Sequence, residues 1–399
     1  MKNSKSFFQA IGIALVFVVL TVGFFVTFAW GASHEGKFRE IPLEWITELE
    51  EKLATTIFTP HGPNGETVMG AEVLKLTPEE IEEARQLEFG EYFFIAASLD
   101  ETEILNKFGM DKVLAELGKE PIAFMGSASI SEQMDQVAVL SGKAEAISFV
   151  VAQAWEAVTL GPSFVALGEA GVPQVHNWTT PSGLFGEDNY IGLVDADGYG
   201  QGMAAAEILA YAMNYEGQVG IIYFALEQWT NVMRLRGALE TFAKYPGIQV
   251  VAEAGFTDPA QSYDLAVGML GANPEIDAIW ATWMMGPATG AAEAVIAVGR
   301  QDEVIVAAPD LGGITGARFI ADPDHPIIGA GEADCIEMGE NSIRAAVKWL
   351  LGRADEVRNG YFVSNVYPIV RANVVDGFEK ATRGASGELP QDVFDLLDK

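Results

Sequence analysis

Three tryptophans stand where a chain can use them. Trp178 closes the apolar run VPQVHNW, Trp283 closes IDAIWATW, and Trp229 lies in a loop between a strand-like and a helix-like stretch. Loops at strand ends on a rigid scaffold carry function, whereas Trp155 and Trp280, inside apolar runs, and Trp349, on a late helix, are expected in the core. Indole faces pack on the C–H surface of a sugar or polyol, or cage a cation, and carboxylate and guanidinium groups hydrogen-bond hydroxyls. Little else offers chemistry. The four histidines, His34, His61, His176 and His325, include no pair at metal-ligand spacing, so no metal is expected. The lone Cys335 cannot form an internal disulfide and reads as a small buried residue. There is no glycine-rich phosphate loop, GxSxG elbow or paired-histidine motif, and the carboxylates have no nucleophile beside them. The chain reads as a binder, not an enzyme, with no cofactor.

The elements that must position these residues begin at Gly90. From there short apolar strands alternate with amphipathic helices. EYFFIAAS, PIAFMGS, ISFVVAQ, VPQVHNW, NYIGLVD, QVGIIYF, IQVVAEAGF, IDAIWATW, VIVAAPD, PIIGAGE and YFVSNVYPIV read as strands. Apolar runs of this kind belong to strands buried on both faces of a parallel sheet, and about 300 residues of strand–helix units exceed one sheet. The fold class is therefore α/β, with two doubly wound lobes. Residues 33–89 differ: two charged helical stretches flank TPHGPNGETVMG, whose Pro and Gly break any element, and the whole reads as a stalk and packing arm. Within it Thr77-Pro78-Glu79-Glu80 has the form of a helix start.

The amino end fixes where the chain works. Lys2 and Lys5 precede an apolar run from Phe7 to Trp30, the layout of a signal peptide or a retained membrane anchor over 1–32. Ala29 and Gly31 place small residues for a cut before Ala32, which favours cleavage slightly. The protein is expected outside the cytoplasmic membrane. A net charge of −32 argues against nucleic acid and against an anionic membrane surface, and the scattered acids read as a solvated surface.

From about residue 90 to 375 the order of segments resembles the type I periplasmic binding proteins, in particular the ribose-binding-like group that serves sugar ABC transporters. The resemblance rests on AELGKEPIAFMGS, ALGEAGVPQVHNW, IGLVDADGYGQGMAAAEILA, GQVGIIYF, RLRGALETFAKYPGIQVVAEAGFTDPA, NPEIDAIWATW, VIVAAPD and GEADCIEMGENSIRAAVKWLLG in family order. It implies a three-segment hinge, one lobe at 90–195 plus 332–362, the other at 196–331 plus 363–380, and a tail at 381–399. The ligand would lie between the lobes at the carboxyl ends of the strands.

Carried over residue by residue, the resemblance places Asp100, Glu101 and Thr102 in the loop after the first strand, where ribose binders show an asparagine and aromatics. Trp178 and Thr179 replace an aspartate–arginine pair. Arg236 keeps a ligand-binding arginine, Thr257 and Asp258 stand at the cleft edge, and Trp283 replaces an asparagine. Asp310 keeps a hydroxyl-binding aspartate, and Ala333 replaces a glutamine, with Glu332 and Asp334 beside it. Trp229 joins the set from its loop. Asp195 and Asp197 read as crossover and helix-capping residues. The implied function is capture of a small neutral sugar or polyol by a monomer that delivers it to an ABC permease and its ATPase. A receptor feeding a kinase or chemoreceptor, and a receptor for a cationic solute, remain open.

Overall fold

The computed structural model describes residues 37–399, so the expectation for residues 1–32 lies outside the described residues. Among the described residues no helix is long and apolar enough to cross a membrane.

The arm contributes α1 (Leu43–Thr55), β1 (Val68–Gly70) and α2 (Pro78–Gln86). The first lobe continues with β2 (Glu91–Ala96), α3 (Glu101–Glu116), β3 (Ala123–Gly126), α4 (Ile130–Ser141), β4 (Ile147–Gln153), α5 (Ala157–Glu169), β5 (Gln174–Asn177) and β6 (Tyr190–Ala196). The second begins with α6 (Gly198–Ala212), β7 (Glu216–Phe224), α7 (Trp229–Phe242), β8 (Gly247–Phe256) and α8 (Ser262–Ala272). It goes on through β9 (Ile276–Ala281), α9 (Thr289–Ala297), β10 (Ile305–Pro309), α10 (Gly313–Ala321) and β11 (Ile327–Ala333). The chain then returns through α11 (Cys335–Leu350) and β12 (Gly360–Ser364) and ends with β13 (Val366–Val370), α12 (Val374–Thr382) and α13 (Gln391–Leu397).

The strands form two sheets, one in the order β1-β12-β6-β5-β4-β2-β3 and the other β13-β11-β10-β9-β7-β8. The first is wholly parallel, and in the second only β13 runs antiparallel, against β11. Buried on both faces, the strands need no alternation of polar residues, which is why β6 and β10 are buried throughout. The chain passes between sheets three times, each time through one polar residue: Asp197 between β6 and α6, Asp334 between β11 and α11, and Asn365 between β12 and β13. YFVSNVYPIV is thus two strands in two sheets and not one. Its apolar residues carry no period that marks the change of sheet; only the exposed Asn365 does.

The arm is tied to both lobes. On one side α1 packs against β13, Trp45 meets Tyr211 at 4.5 Å between ring centroids, and Lys380 pairs with Glu50 at 2.6 Å. On the other, Val68 to Gly70 of TPHGPNGETVMG, expected to hold no element, form β1 by pairing with Tyr361 to Val363, because an open sheet edge supplies the partners that local sequence lacks. Between these anchors the arm crosses the hinge. Phe58 N and Thr59 N donate to the Asp197 carboxylate at 2.5 and 2.9 Å, and Asn365 Nδ2 donates to Ala54 O at 2.8 Å. Asp197 also caps α6 through Gly200 N, and Thr77 with Glu80 forms the reciprocal cap of α2.

Candidate ligand-binding cleft

Each sheet ends its strands at one opening between the lobes, and a cavity of about 240 Å³ lies there. The first lobe lines it with Ser98 and Asp100 after β2, with Glu101, Thr102 and Glu103 in the first turn of α3, which Asp100 caps, with Gln153 at the end of β4, and with Trp155 and Trp178 just beyond β4 and β5. The second lobe adds Phe224 at the end of β7, Asn231 and Arg234 from α7, Trp283 to Met285 after β9, and Asp310 and Gly312 after β10. Carboxyl ends of parallel strands are where open α/β sheets leave a crevice.

Arg234 is the centre of the second-lobe wall. Its Nε donates to Gln201 Oε1 at 3.0 Å, one terminal nitrogen to Thr282 O at 3.3 Å and the other to Asp310 Oδ1 at 2.8 Å. Gln201 Nε2 also donates to Asp310 Oδ1, at 2.9 Å. Three of the five guanidinium donors are thereby fixed, which holds the planar fork in one orientation. The Trp178 ring lies over the guanidinium at 5.3 Å from its centroid. Helix packing sets this geometry: Gly202 of α6 lies against Arg234 O, and Gly237 of α7 against Tyr199 O, so closely that any Cβ would collide. Two glycines thus bring the backbone of α7 against α6, and Arg234 reaches Gln201 and Asp310.

Trp178 and Asp310 have φ of 65° and 63°, the left-handed region that non-glycine residues enter at a cost of about 1–2 kcal/mol. Both immediately follow a cleft-facing strand. Trp178 O accepts from Thr230 N at 3.0 Å and Thr230 Oγ1 at 2.7 Å, and Asp310 N donates to Gly331 O at 2.9 Å, so surrounding structure holds both turns. Trp283 packs its ring on the edges of Phe224 and Phe256 at 5.5 and 5.2 Å, and its Nε1 donates to Met285 O at 2.8 Å.

The first-lobe wall is acidic. Burial, opposed by hydrogen bonds from Ser98 and Glu103 N and reinforced by the charge of Asp310, raises the Asp100 carboxyl above its ordinary range. Burial, with the charges of Asp100 and Asp310 and against a hydrogen bond from the Gln153 side chain, raises Glu103 well above its own. Among the described residues, Glu101 Oε1, Glu103 Oε2, Gln153 Oε1 and Trp178 Nε1 are buried polar atoms of this wall without a hydrogen-bond partner. Glu101 reaches across the opening to the backbone of Gly313 at the start of α10.

The structure brings together Asp100, Glu101, Thr102, Trp178, Trp283 and Asp310 of the residues expected in the site. The others lie elsewhere. Arg236 is exposed and pairs with Glu240 at 2.7 Å; two residues along a helix is about 200° of rotation, so Arg236 faces solvent where Arg234 faces the cleft. The buried positions Thr230, Arg234, Gly237 and Thr241 carry a helical spacing that marks the right arginine. Thr179 Oγ1 accepts from Trp229 N at 3.1 Å, and Trp229 turns away to the arm, its Nε1 donating to Tyr361 OH at 3.2 Å beside His61. Thr257 is exposed, its N donating to Gln261 Oε1. Ala333 is buried in register with Val366, and Asp334 caps α11 and pairs with Arg383. Trp155, expected in the core, lines the cavity, and Trp349 is half-buried under Arg358; Trp280 is fully buried. Glu103, Gln153, Asn231 and Arg234 are cleft residues that sequence reasoning missed.

Residues 106–353 match the family model described as periplasmic binding protein domain. Among solved structures, an ABC transporter solute binding protein from Bacillus halodurans C-125 with bound myo-inositol is 21% identical, with a TM-score of 0.62 over 74% of this chain and 99% of that one. A carbohydrate transporter solute binding protein from Agrobacterium radiobacter in complex with D-arabinose is 20% identical, with a TM-score of 0.61 over 74% and 100%. One from Agrobacterium vitis bound to alpha-D-tagatopyranose is 19% identical, with a TM-score of 0.63 over 72% and 97%. At these identities the likeness is one of fold. No curated protein matches the sequence significantly.

Proposed function

Because the chain belongs to the periplasmic binding protein domain family, we propose that it is an extracytoplasmic receptor that captures a small sugar or polyol between two closing lobes and delivers it to an ABC importer. One observation carries this reading: both lobes present, at the carboxyl ends of their strands, a wall of indole rings interleaved with oriented polar groups. An indole covers the C–H face of a pyranose or cyclitol, and the Arg234–Asp310 pair offers donors and an acceptor to its hydroxyls, none of which can be left unpartnered when water is expelled. Three one-residue crossovers are the natural hinge, and the ligand bridging the walls stabilises the closed form. The three solved proteins named above hold myo-inositol, D-arabinose and alpha-D-tagatopyranose, which supports the solute class. The proposal is one of binding, with no reaction step.

A thermal-shift panel of pentoses, hexoses, alditols and cyclitols on the full-length protein tests it. At least one member is expected to raise the melting temperature in a concentration-dependent way, by about 2.7 kcal/mol of stabilisation at one hundred times its dissociation constant. No response from any polyhydroxylated solute sinks the reading. Deletion of the gene then separates import from sensing: uptake of that solute is lost if the protein feeds an importer and persists if it feeds a kinase.

A further inference from the structure

The cleft is unbalanced in charge. Asp100, Glu101, Glu103 and Asp310 line it, and Arg234 is the one cation doing so among the described residues. Arg234 is already committed to Asp310 in a pair whose side chains are 5% and 14% exposed. Among the described residues Asp100, Glu101 and Glu103 have no lysine, arginine or histidine within ion-pair distance. Capping of α3 accounts for Asp100 in part, but Glu103, 2% exposed, has the Gln153 side chain as a hydrogen-bond partner and, among the described residues, no cation within ion-pair distance.

The unpartnered atoms point the same way. Glu101 Oε1, Glu103 Oε2 and Gln153 Oε1 are buried acceptors, against a single unpartnered donor, Trp178 Nε1. Buried acceptors left empty are costly, so the wall calls for a ligand that brings donors. A neutral polyol brings hydroxyl donors but leaves the carboxylate charge uncompensated in a cavity from which water has been driven. An ammonium group brings three donors, no acceptor and the missing charge. A polyhydroxylated body satisfies the indoles and the Arg234–Asp310 pair at the same time. We propose that the solute of this cleft is a polyhydroxylated amine, an amino sugar or amino polyol, whose ammonium lies among Asp100, Glu101 and Glu103. The inference rests on the sugar-receptor reading and narrows its solute class. Burial raises the carboxyls of Asp100 and Glu103, and an ammonium beside them favours their charged form.

Matched pairs on the full-length protein decide it by calorimetry: glucose, glucosamine and neutral N-acetylglucosamine; sorbitol and 1-amino-1-deoxysorbitol; myo-inositol and an aminocyclitol; and choline as a cation without a sugar body. The amine is expected to bind at least tenfold tighter than its neutral counterpart in at least one pair. That ratio should shrink threefold or more in Asp100→Asn and Glu103→Gln, each first shown by melting to be folded. Neutral members binding as well as or better than their amines overturn the inference and leave the sugar receptor standing. Choline binding while every sugar and amino sugar fails keeps the charge requirement and overturns the sugar reading. No binding by any of these solutes overturns both.

Discussion

At the scale of single residues, function turns on which of two neighbouring arginines faces inward. Arg234 is fixed by Gln201, Thr282 O and Asp310, whereas Arg236 pairs only with an exposed glutamate. Arg234→Ala leaves Asp310 without its cation and removes the ring partner of Trp178, so binding should weaken by about 2–4 kcal/mol, while Arg236→Ala should change the dissociation constant less than twofold. Calorimetry with the best solute of the panel compares them; equal effects would remove Arg234 from the site. Asp195, at the hinge end of β6, gives a second residue-scale prediction. Burial pushes its carboxyl up to about 7, against hydrogen bonds from Thr230 and Ala196 N. A carboxyl whose folded pKa is raised contributes its full stability below the unfolded value near 3.8 and loses it as the pH rises through about 7. Asp195→Asn should therefore raise the melting temperature at pH 8 by a few degrees, about 1 kcal/mol or more, and leave it nearly unchanged at pH 4. A uniform shift at both pH values would show that titration is not the cause.

At the scale of elements, the arm acts as a strap. It leaves α1 on the second lobe, passes the crossovers Asp197 and Asn365, adds β1 to the first sheet and ends in α2. There Glu80, almost fully buried, accepts from Lys348 at 2.9 Å and Arg353 at 2.5 Å. Burial raises the Glu80 carboxyl, but Thr77 N, Lys348 and Arg353 outweigh it and the net shift is downward. Such a group contributes stability above its unfolded value near 4.5 that is lost as the pH falls through the lower folded value. Glu80→Ala should cost about 3 kcal/mol at pH 7, because Lys348 is left buried with only Glu356, and the difference from the unmodified protein should narrow below pH 4. Urea titrations at both pH values measure this. A constant difference would assign the loss to packing.

At the scale of the whole molecule, Glu101 of the first lobe lies against Gly313 of the second, whose φ is 63°. A methyl group there meets the Glu101 carboxylate, so Gly313→Ala should displace that carboxylate and hinder closure. Affinity should fall about tenfold, or 1.4 kcal/mol, and small-angle scattering should show a smaller compaction on ligand addition than in the unmodified protein. Full compaction with unchanged affinity would mean that the contact plays no part in closing.

The α/β class, the alternation of elements, the start of α2 at Thr77-Pro78 and the buried Trp280 were legible in the sequence, because each is set by spacing within a dozen residues. Family order added Asp100, Glu101, Thr102, Trp178, Trp283 and Asp310 to one opening. What only the tertiary structure decided depends on distant segments meeting. Arg234 was selected over Arg236 by the glycine contact of α6 with α7, and Trp229 was claimed by an arm more than 150 residues earlier in the chain. The strand at 68–70 exists because β12 offers it an edge, and YFVSNVYPIV is divided because two sheets compete for it. Periodicity records which face of an element is buried, but it carries no record of what that face is buried against.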